Sequence, residues 1–188
     1  MNKDKNNRAL AIFSAIAVVM IVIDQITKKI VDAKMQYGEQ KNIIDGFFSF
    51  FYVRNKGSAF SFLANKSWGI YILSALSLIM SVFIVIALVK AARNKLYLIA
   101  TSMSLLFAGA VGNLIDRFTL KYVIDFLRFD FGDYMFPVFN VADICAVCGS
   151  GLLLFIIIFG QKQVDAFFDA FSSKKVENKE EVKEDNDA

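Results

Sequence analysis

The sequence predicts an all-α membrane protein: four transmembrane helices with a small extracytoplasmic β-hairpin or sheet lying on the membrane surface. Three observations predict it. Hydrophobic residues make up 56 % of the 188 residues, and mean hydropathy is +0.50, more apolar than a soluble domain. Four apolar runs meet or approach the ~20 residues a helix needs to cross ~30 Å of hydrocarbon. Basic residues then fall at alternate ends of those runs: Lys3, Lys5 and Arg8; Lys90, Arg93 and Lys95; Lys162, Lys174 and Lys175. Four spans place all three groups on one side, the cytoplasm.

The first run, Ala9–Ile23, is uncharged and continues in helical character through Asp24-Gln25-Ile26-Thr27-Lys28-Lys29, with a span of about residues 9–27. Its basic leader resembles a secretory signal, but no small-residue cleavage site follows, so it reads as a retained helix. Trp68–Val89 and Leu96–Ile115 carry no charge, giving spans over about 68–89 and 96–115. The fourth, Ile144–Gln161, follows directly on Asp143, and the span covers about 141–161. The loop Lys28–Lys66 is also basic, but it is long and mixed with apolar residues, which weakens its topogenic weight.

Two regions outside the membrane follow, about 28–67 and 116–143. Phe47–Val53 reads as an aromatic strand, Arg54-Asn55-Lys56-Gly57 as a turn, and Ala59–Leu63 as a second, half-buried strand. The outer β region thus covers about 42–65. A hairpin on the lipid interface and a packed cap without a ligand both fit it. Residues 1–165 would form the membrane domain and 166–188 a charged cytoplasmic tail. Lys174–Ala188 alternates Lys with Glu and Asp and has little to bury, the composition of a disordered segment.

Composition also excludes chemistry. There is no His, so Ser–His–Asp and Cys–His catalysis and His-containing zinc sites are ruled out. The net charge of +3 comes from 21 basic and 18 acidic residues, many at the chain ends, which argues against a nucleic-acid surface. Cys145 and Cys148 spell CxxC inside an apolar helix and read as small buried packing residues rather than a redox or metal pair.

Ionisable residues at membrane spans are costly and therefore candidates for function. Asp24 and Lys28 share a face at the outer end of the first helix. A local ion pair anchoring that end and a catalytic role both fit them. The third helix ends Ala108-Gly109-Ala110-Val111-Gly112-Asn113-Leu114-Ile115-Asp116-Arg117. Ala108 and Gly112 read as packing. Asn113, Asp116 and Arg117 instead put an amide, a carboxylate and a guanidinium at the membrane boundary. Asp125 lies among apolar neighbours, and Asn140 with Asp143 suits an N-cap and first turn. Two carboxylates at one level can share a proton, one drawing a proton from water while the other donates to a carbonyl oxygen. A first-turn Asp143 would be the ionised member, leaving the proton on Asp125.

Five segments in order, over about residues 8–162, resemble the lipoprotein signal peptidase family, signal peptidase II of bacteria. They are Asp24–Lys28, Arg54–Ser61, Gly109–Arg117, Val123–Phe126 and Pro137–Asp143, with Ala108 standing where a Gly is common. The resemblance implies an intramembrane aspartyl protease of the bacterial cell membrane. Such an enzyme removes signal peptides from diacylglyceryl-modified prolipoproteins, cutting just before the lipidated Cys. It implies Asp125 and Asp143 as the catalytic dyad. Asn55, Gly57, Asn113, Arg117 and Asn140 would position substrate or the dyad, with Asp24, Lys28 and Asp116 in support. Its partners would be lipid-modified precursors and membrane lipids, no nucleic acid. No metal or organic cofactor is needed, and a monomer suffices. The competing expectation is a non-enzymatic four-helix transport or assembly protein. A transport site would favour the bilayer midplane rather than one membrane face. A Gly-x-Gly-Asp protease is set aside because Asp130-Phe131-Gly132-Asp133 has Asp where the first Gly belongs.

Overall fold

A computed structural model describes residues 3–57 and 68–172. Four helices are long and apolar enough to cross a membrane: α1 (Lys3–Lys34), α2 (Gly69–Arg93), α3 (Tyr97–Thr119) and α4 (Val141–Phe159). In lipid every backbone polar group must be satisfied within the segment, so these apolar runs have no alternative to helix. The central helix is α3, which touches the other three. Half of its apolar stretch is buried, against 17–22 % in the others. The remaining helices present Ile12, Val18, Val82, Phe83, Leu154 and Phe155 outward, as lipid-facing surfaces do.

Small residues let the helices approach. A Cβ added at Gly109 would lie 2.6 Å from the Ala142 carbonyl oxygen, and one at Gly112 would lie 2.7 Å from the Asp24 carboxylate. The tight contact with α4 is thus made at Gly109 and Gly112, whereas Ala108 is simply buried. Ser102 Oγ donates to the Gly149 carbonyl at 2.8 Å and Ser104 Oγ to that of Phe13 at 2.9 Å, adding hydrogen bonds between helices. Because the obstacle at Gly109 is backbone, Gly109→Ala is expected to destabilise the protein by about 1–3 kcal/mol. Thermal unfolding in detergent measures it, and an unchanged midpoint would mean that α3 and α4 sit further apart.

At the far end of α1 the chain forms a four-stranded antiparallel sheet. Its strands are β1 (Gln40–Ile44), β2 (Phe48–Asn55), β3 (Val123–Phe131) and β4 (Tyr134–Met135), in that order. Gly46, at φ +71°, permits the turn between β1 and β2, and Gly132, at φ +62°, the turn between β3 and β4. The expected hairpin or sheet is thus a four-stranded sheet, but its turn does not fall where the sequence suggests. Arg54 and Asn55 are not a turn: β2 runs through Asn55, which pairs with Val123, and the strand's partners are β1 and β3. The physical reason is that the Asn55 amide is engaged by Asp125 across the β2–β3 pair. The expected strand Ala59–Leu63 and the charged segment Lys174–Ala188 lie outside the described residues. Asp130-Phe131-Gly132-Asp133 forms the end of β3 and the turn into β4.

The sheet is tied to the bundle through Arg54. Its guanidinium lies 5.0–5.6 Å from the ring centres of Tyr37, Tyr52 and Tyr122. Tyr52 is fully buried, donates to Asp32 of α1 and accepts from Arg54 Nε at 3.0 Å. This clamp fixes the root of β2, one residue before Asn55. At the opposite end a second core gathers Phe13, Leu88, Ile99, Met103 and Ile156. A fifth helix, α5 (Gln161–Phe171), crosses that end, so the first six residues assigned to the tail are helix.

Candidate active site

Asp125 is the third residue of β3 and Asp143 the third of α4, so a strand and a helix each carry one carboxylate to a common cleft. The cleft has a volume of about 550 Å³ and is also lined by Asn55, Asn113 and Arg117. Its walls are apolar, formed by Phe136–Phe139 on one side and Ile144 and Val147 of α4 on the other.

Asn140 joins the two acids. It is the N-cap of α4: its Oδ1 accepts from the Asp143 N–H at 3.0 Å, and Asp143 Oδ2 accepts from the Asn140 N–H at 3.1 Å. The remaining amide of Asn140 donates to Asp125 Oδ1 at 2.7 Å. The cap that starts the helix therefore also positions both carboxylates. Asn55 Nδ2 donates to Asp125 Oδ2 at 2.9 Å, and Asn113 Nδ2 donates to Asp143 Oδ1 at 2.8 Å. Every carboxylate oxygen of the pair thus accepts from an N–H rather than from the other acid.

The amide orientations are over-determined. Asn113 Oδ1 accepts from Lys28 Nζ at 2.9 Å and from Asn140 Nδ2 at 3.0 Å, which leaves only its NH₂ to face Asp143. Asn55 Oδ1 accepts from the Gly57 N–H at 2.9 Å, which turns its NH₂ to Asp125. Behind the cleft, Lys28 Nζ lies 2.9 Å from Asp24 and 3.1 Å from Asp116, all three side chains essentially inaccessible. Asp24 Oδ1 accepts from the Ala142 N–H at 2.8 Å and Asp116 Oδ2 from the Ile124 N–H at 3.1 Å. The cluster therefore locks α1 to the first turn of α4 and to β3.

Burial raises the Asp125 carboxyl to about 7, with the neighbouring Asp143 charge as the second cause. The hydrogen bonds from Asn55 and Asn140 and the Lys28 charge act in the opposite sense. Arg117 is 9 % exposed, and its Nε has no hydrogen-bond partner among the described residues. Its Nη2 reaches the Gly57 carbonyl at only 3.5 Å. Arg117 lines the cleft, so its guanidinium, with one donor unpartnered, can turn toward an incoming carbonyl oxygen.

All ten residues singled out in the sequence meet in this one connected set. Gln25 belongs to it as well: its amide reaches Asp24 at 3.2 Å, the Gly112 carbonyl at 3.1 Å and Asp116 at 3.0 Å. Its signal was its place between Asp24 and Lys28. Cys145 is buried as expected, but Cys148 is exposed and lines the cleft, and both are free thiols. Cys148, three residues on, sits about 60° round the helix from Cys145, at the edge of the same face, where it reaches the cleft wall. Among the described residues no group of His, Cys, Asp and Glu is arranged to hold a metal ion.

A family model described as signal peptidase II matches residues 16–159. The lipoprotein signal peptidase of Geobacter metallireducens is 41 % identical over 152 residues, covering 81 % of this chain and 93 % of that protein. The lipoprotein signal peptidase of Symbiobacterium thermophilum is 38 % identical over 148 residues, covering 79 % and 95 %. A solved bacterial membrane enzyme, determined by the in meso method at 2.3 Å resolution, superposes with a TM-score of 0.64 at 32 % identity. That match covers 89 % of this chain and 94 % of the other.

Proposed function

Because the chain belongs to the signal peptidase II family, a family of bacterial multi-pass membrane proteases, we propose that it is an aspartyl endopeptidase acting on diacylglyceryl-modified prolipoproteins. It cuts the bond just before the lipidated Cys. The observation that carries this reading is the bridge through Asn140, which holds Asp125 and Asp143 together in the lining of one largely apolar cleft.

In the reaction Asp143 is ionised and Asp125 holds the proton. A water between them attacks the scissile carbonyl carbon. Its proton passes to Asp143 while Asp125 gives its own to the carbonyl oxygen, and a tetrahedral diol forms. On collapse Asp143 returns its proton to the leaving nitrogen, Asp125 recovers one from a hydroxyl, and the C–N bond breaks. The Arg117 guanidinium, which lines the cleft, offers a donor to a substrate carbonyl. Asn55, Asn113 and Asn140 hold the acids without competing for the proton. The precursor's acyl chains and signal helix stay in lipid, and this anchoring supplies the binding energy that brings the peptide bond to the dyad.

The basic residues Arg8, Lys90, Arg93, Lys95 and Lys162 lie at the end of the bundle away from the sheet. That position supports a topology with both termini in the cytoplasm and the dyad near the outer face. The membrane domain extends through α5 to Phe171 and acts as a monomer without metal or cofactor.

The proton on Asp125 sets the pH dependence. Its carboxyl is raised to about 7, so the singly protonated dyad exists below that pH and is lost above it. The ratio kcat/KM is expected to fall tenfold per pH unit on the alkaline side of about 7, a limb that belongs to the pair. Asn55→Ala removes a donor to the ionised form of Asp125 and should move that limb to higher pH. A profile flat to pH 9, or a limb moving down in Asn55→Ala, contradicts the assignment.

A further inference from the structure

We infer that α5 is an interfacial anchor, seated in the headgroup boundary of the leaflet where α4 ends, with Phe168 and Phe171 inserted among the acyl chains. Val164, Phe167, Phe168 and Phe171 fall within about 100° of the helix surface at 100° per residue. Val164 and Phe167 pack on the core at the base of the bundle. Phe168 and Phe171 have no such cover and are 65 % and 40 % exposed. The opposite face carries Lys162, Asp165 and Asp169.

The occupant of that exposed face follows from its neighbours. The last turn of α4, one residue upstream, exposes Phe155, Ile158 and Phe159, the last at 72 %. These belong to a helix long and apolar enough to cross a bilayer, and only Gly160 separates it from α5. Lys90 and Arg93 in the last turn of α2 lie at the same end, where anionic headgroups would meet them. Lys90 also fixes the tilt of α5. Its Nζ donates to the Ala170 carbonyl at 2.8 Å and lies 4.4 Å from the centre of the Phe171 ring. The far end of α5 is thereby drawn back across the base of the bundle instead of projecting away. Residues 172–188 are a poor competitor for the site, since their only apolar residues are Val176, Val182 and Ala188.

The experiment uses the full chain with Trp68→Phe, which removes the single Trp, combined with Phe168→Trp. The protein is reconstituted in phosphatidylcholine–phosphatidylglycerol vesicles, with and without lipids brominated near the headgroup end of the acyl chain. At the ~5–10 Å depth of an interfacial helix, the indole is expected to lose about half or more of its emission to the brominated lipid. It should be little affected by iodide in the water. Asp165→Trp in the same background should show the reverse. Phe171→Trp gives a second reading of the same face if Phe168→Trp fails to fold. Lys90→Met should weaken the lipid quenching. An indole at 168 quenched by iodide and not by brominated lipid would overturn the inference. So would one protected from both, since that would mean cover by protein, either this chain or a second copy.

Discussion

Asp125→Asn and Asp143→Asn are each expected to slow precursor cleavage by at least about 10³-fold, the range of a lost general acid or base. The double variant should be no slower than the slower single one, because the two groups act as a unit. Both changes keep the side-chain shape. Each does place an NH₂ where a carboxylate oxygen accepts from Asn55, Asn113 or Asn140. Part of any loss could therefore come from a disturbed network, and the unfolding midpoint of each variant separates the two causes. A variant that stays folded and inactive has lost its chemistry. A folded Asp143→Asn protein cleaving within tenfold of wild type would remove Asp143 from the reaction.

Lys28→Met is expected to cost about 3–5 kcal/mol of stability, the penalty for breaking a buried ion pair by removing one partner. Lys28 is 1 % exposed and is the cation that faces both Asp24 and Asp116. Its removal leaves two carboxylates buried beside the first turn of α4. It also removes one of the two donors that orient Asn113 toward Asp143, so activity should fall as well as stability. Adding Asp24→Asn to Lys28→Met removes one orphaned charge and should restore part of the stability. Chemical unfolding in detergent measures both. A loss under about 1 kcal/mol, the scale of an exposed pair, would mean that water reaches the cluster.

Much of the fold was legible because the bilayer leaves helices little freedom. The uncharged runs at Trp68–Val89 and Leu96–Ile115 are α2 and α3 with a few residues added at each end. The sequence sets the first span at about residues 9–27, with helical character continuing through Lys29. In the structure α1 runs on to Lys34, because Lys28 is neutralised by α3 rather than by solvent. The sheet was harder to read. All of β1 is exposed and half polar, so it has no alternation to detect. The first four residues of β3 are all buried, so that strand has none either. Only β2 had an aromatic pattern strong enough to read, and its end was misplaced because the Asn55–Gly57 segment spells a turn. The apolar spacing of α5 was present at Val164, Phe167, Phe168 and Phe171, but it is a single short stripe at the edge of a charged segment.

The site divides in the same way. Local rules reached the cap at Asn140, the Asp24–Lys28 pair and the anomaly of Asp125, each from its own neighbours. No spacing rule reaches the meeting of Asp125 with Asp143. The two are separated by the β3–β4 turn and the Pro137–Phe139 segment, which hydrogen-bonds back to Leu127 and so returns the chain to the start of β3. Their common membrane level suggests a pair, the resemblance names them as one, and the amide bridge explains how this chain brings them together.

The most direct test of the account is the mass of the product released by the purified protein from a diacylglyceryl-modified prolipoprotein in detergent, beside the unlipidated precursor. The account predicts a single cut just before the lipidated Cys, with the unlipidated precursor left largely intact. A folded protein that leaves the lipidated precursor whole, or cuts it at another bond, would contradict it.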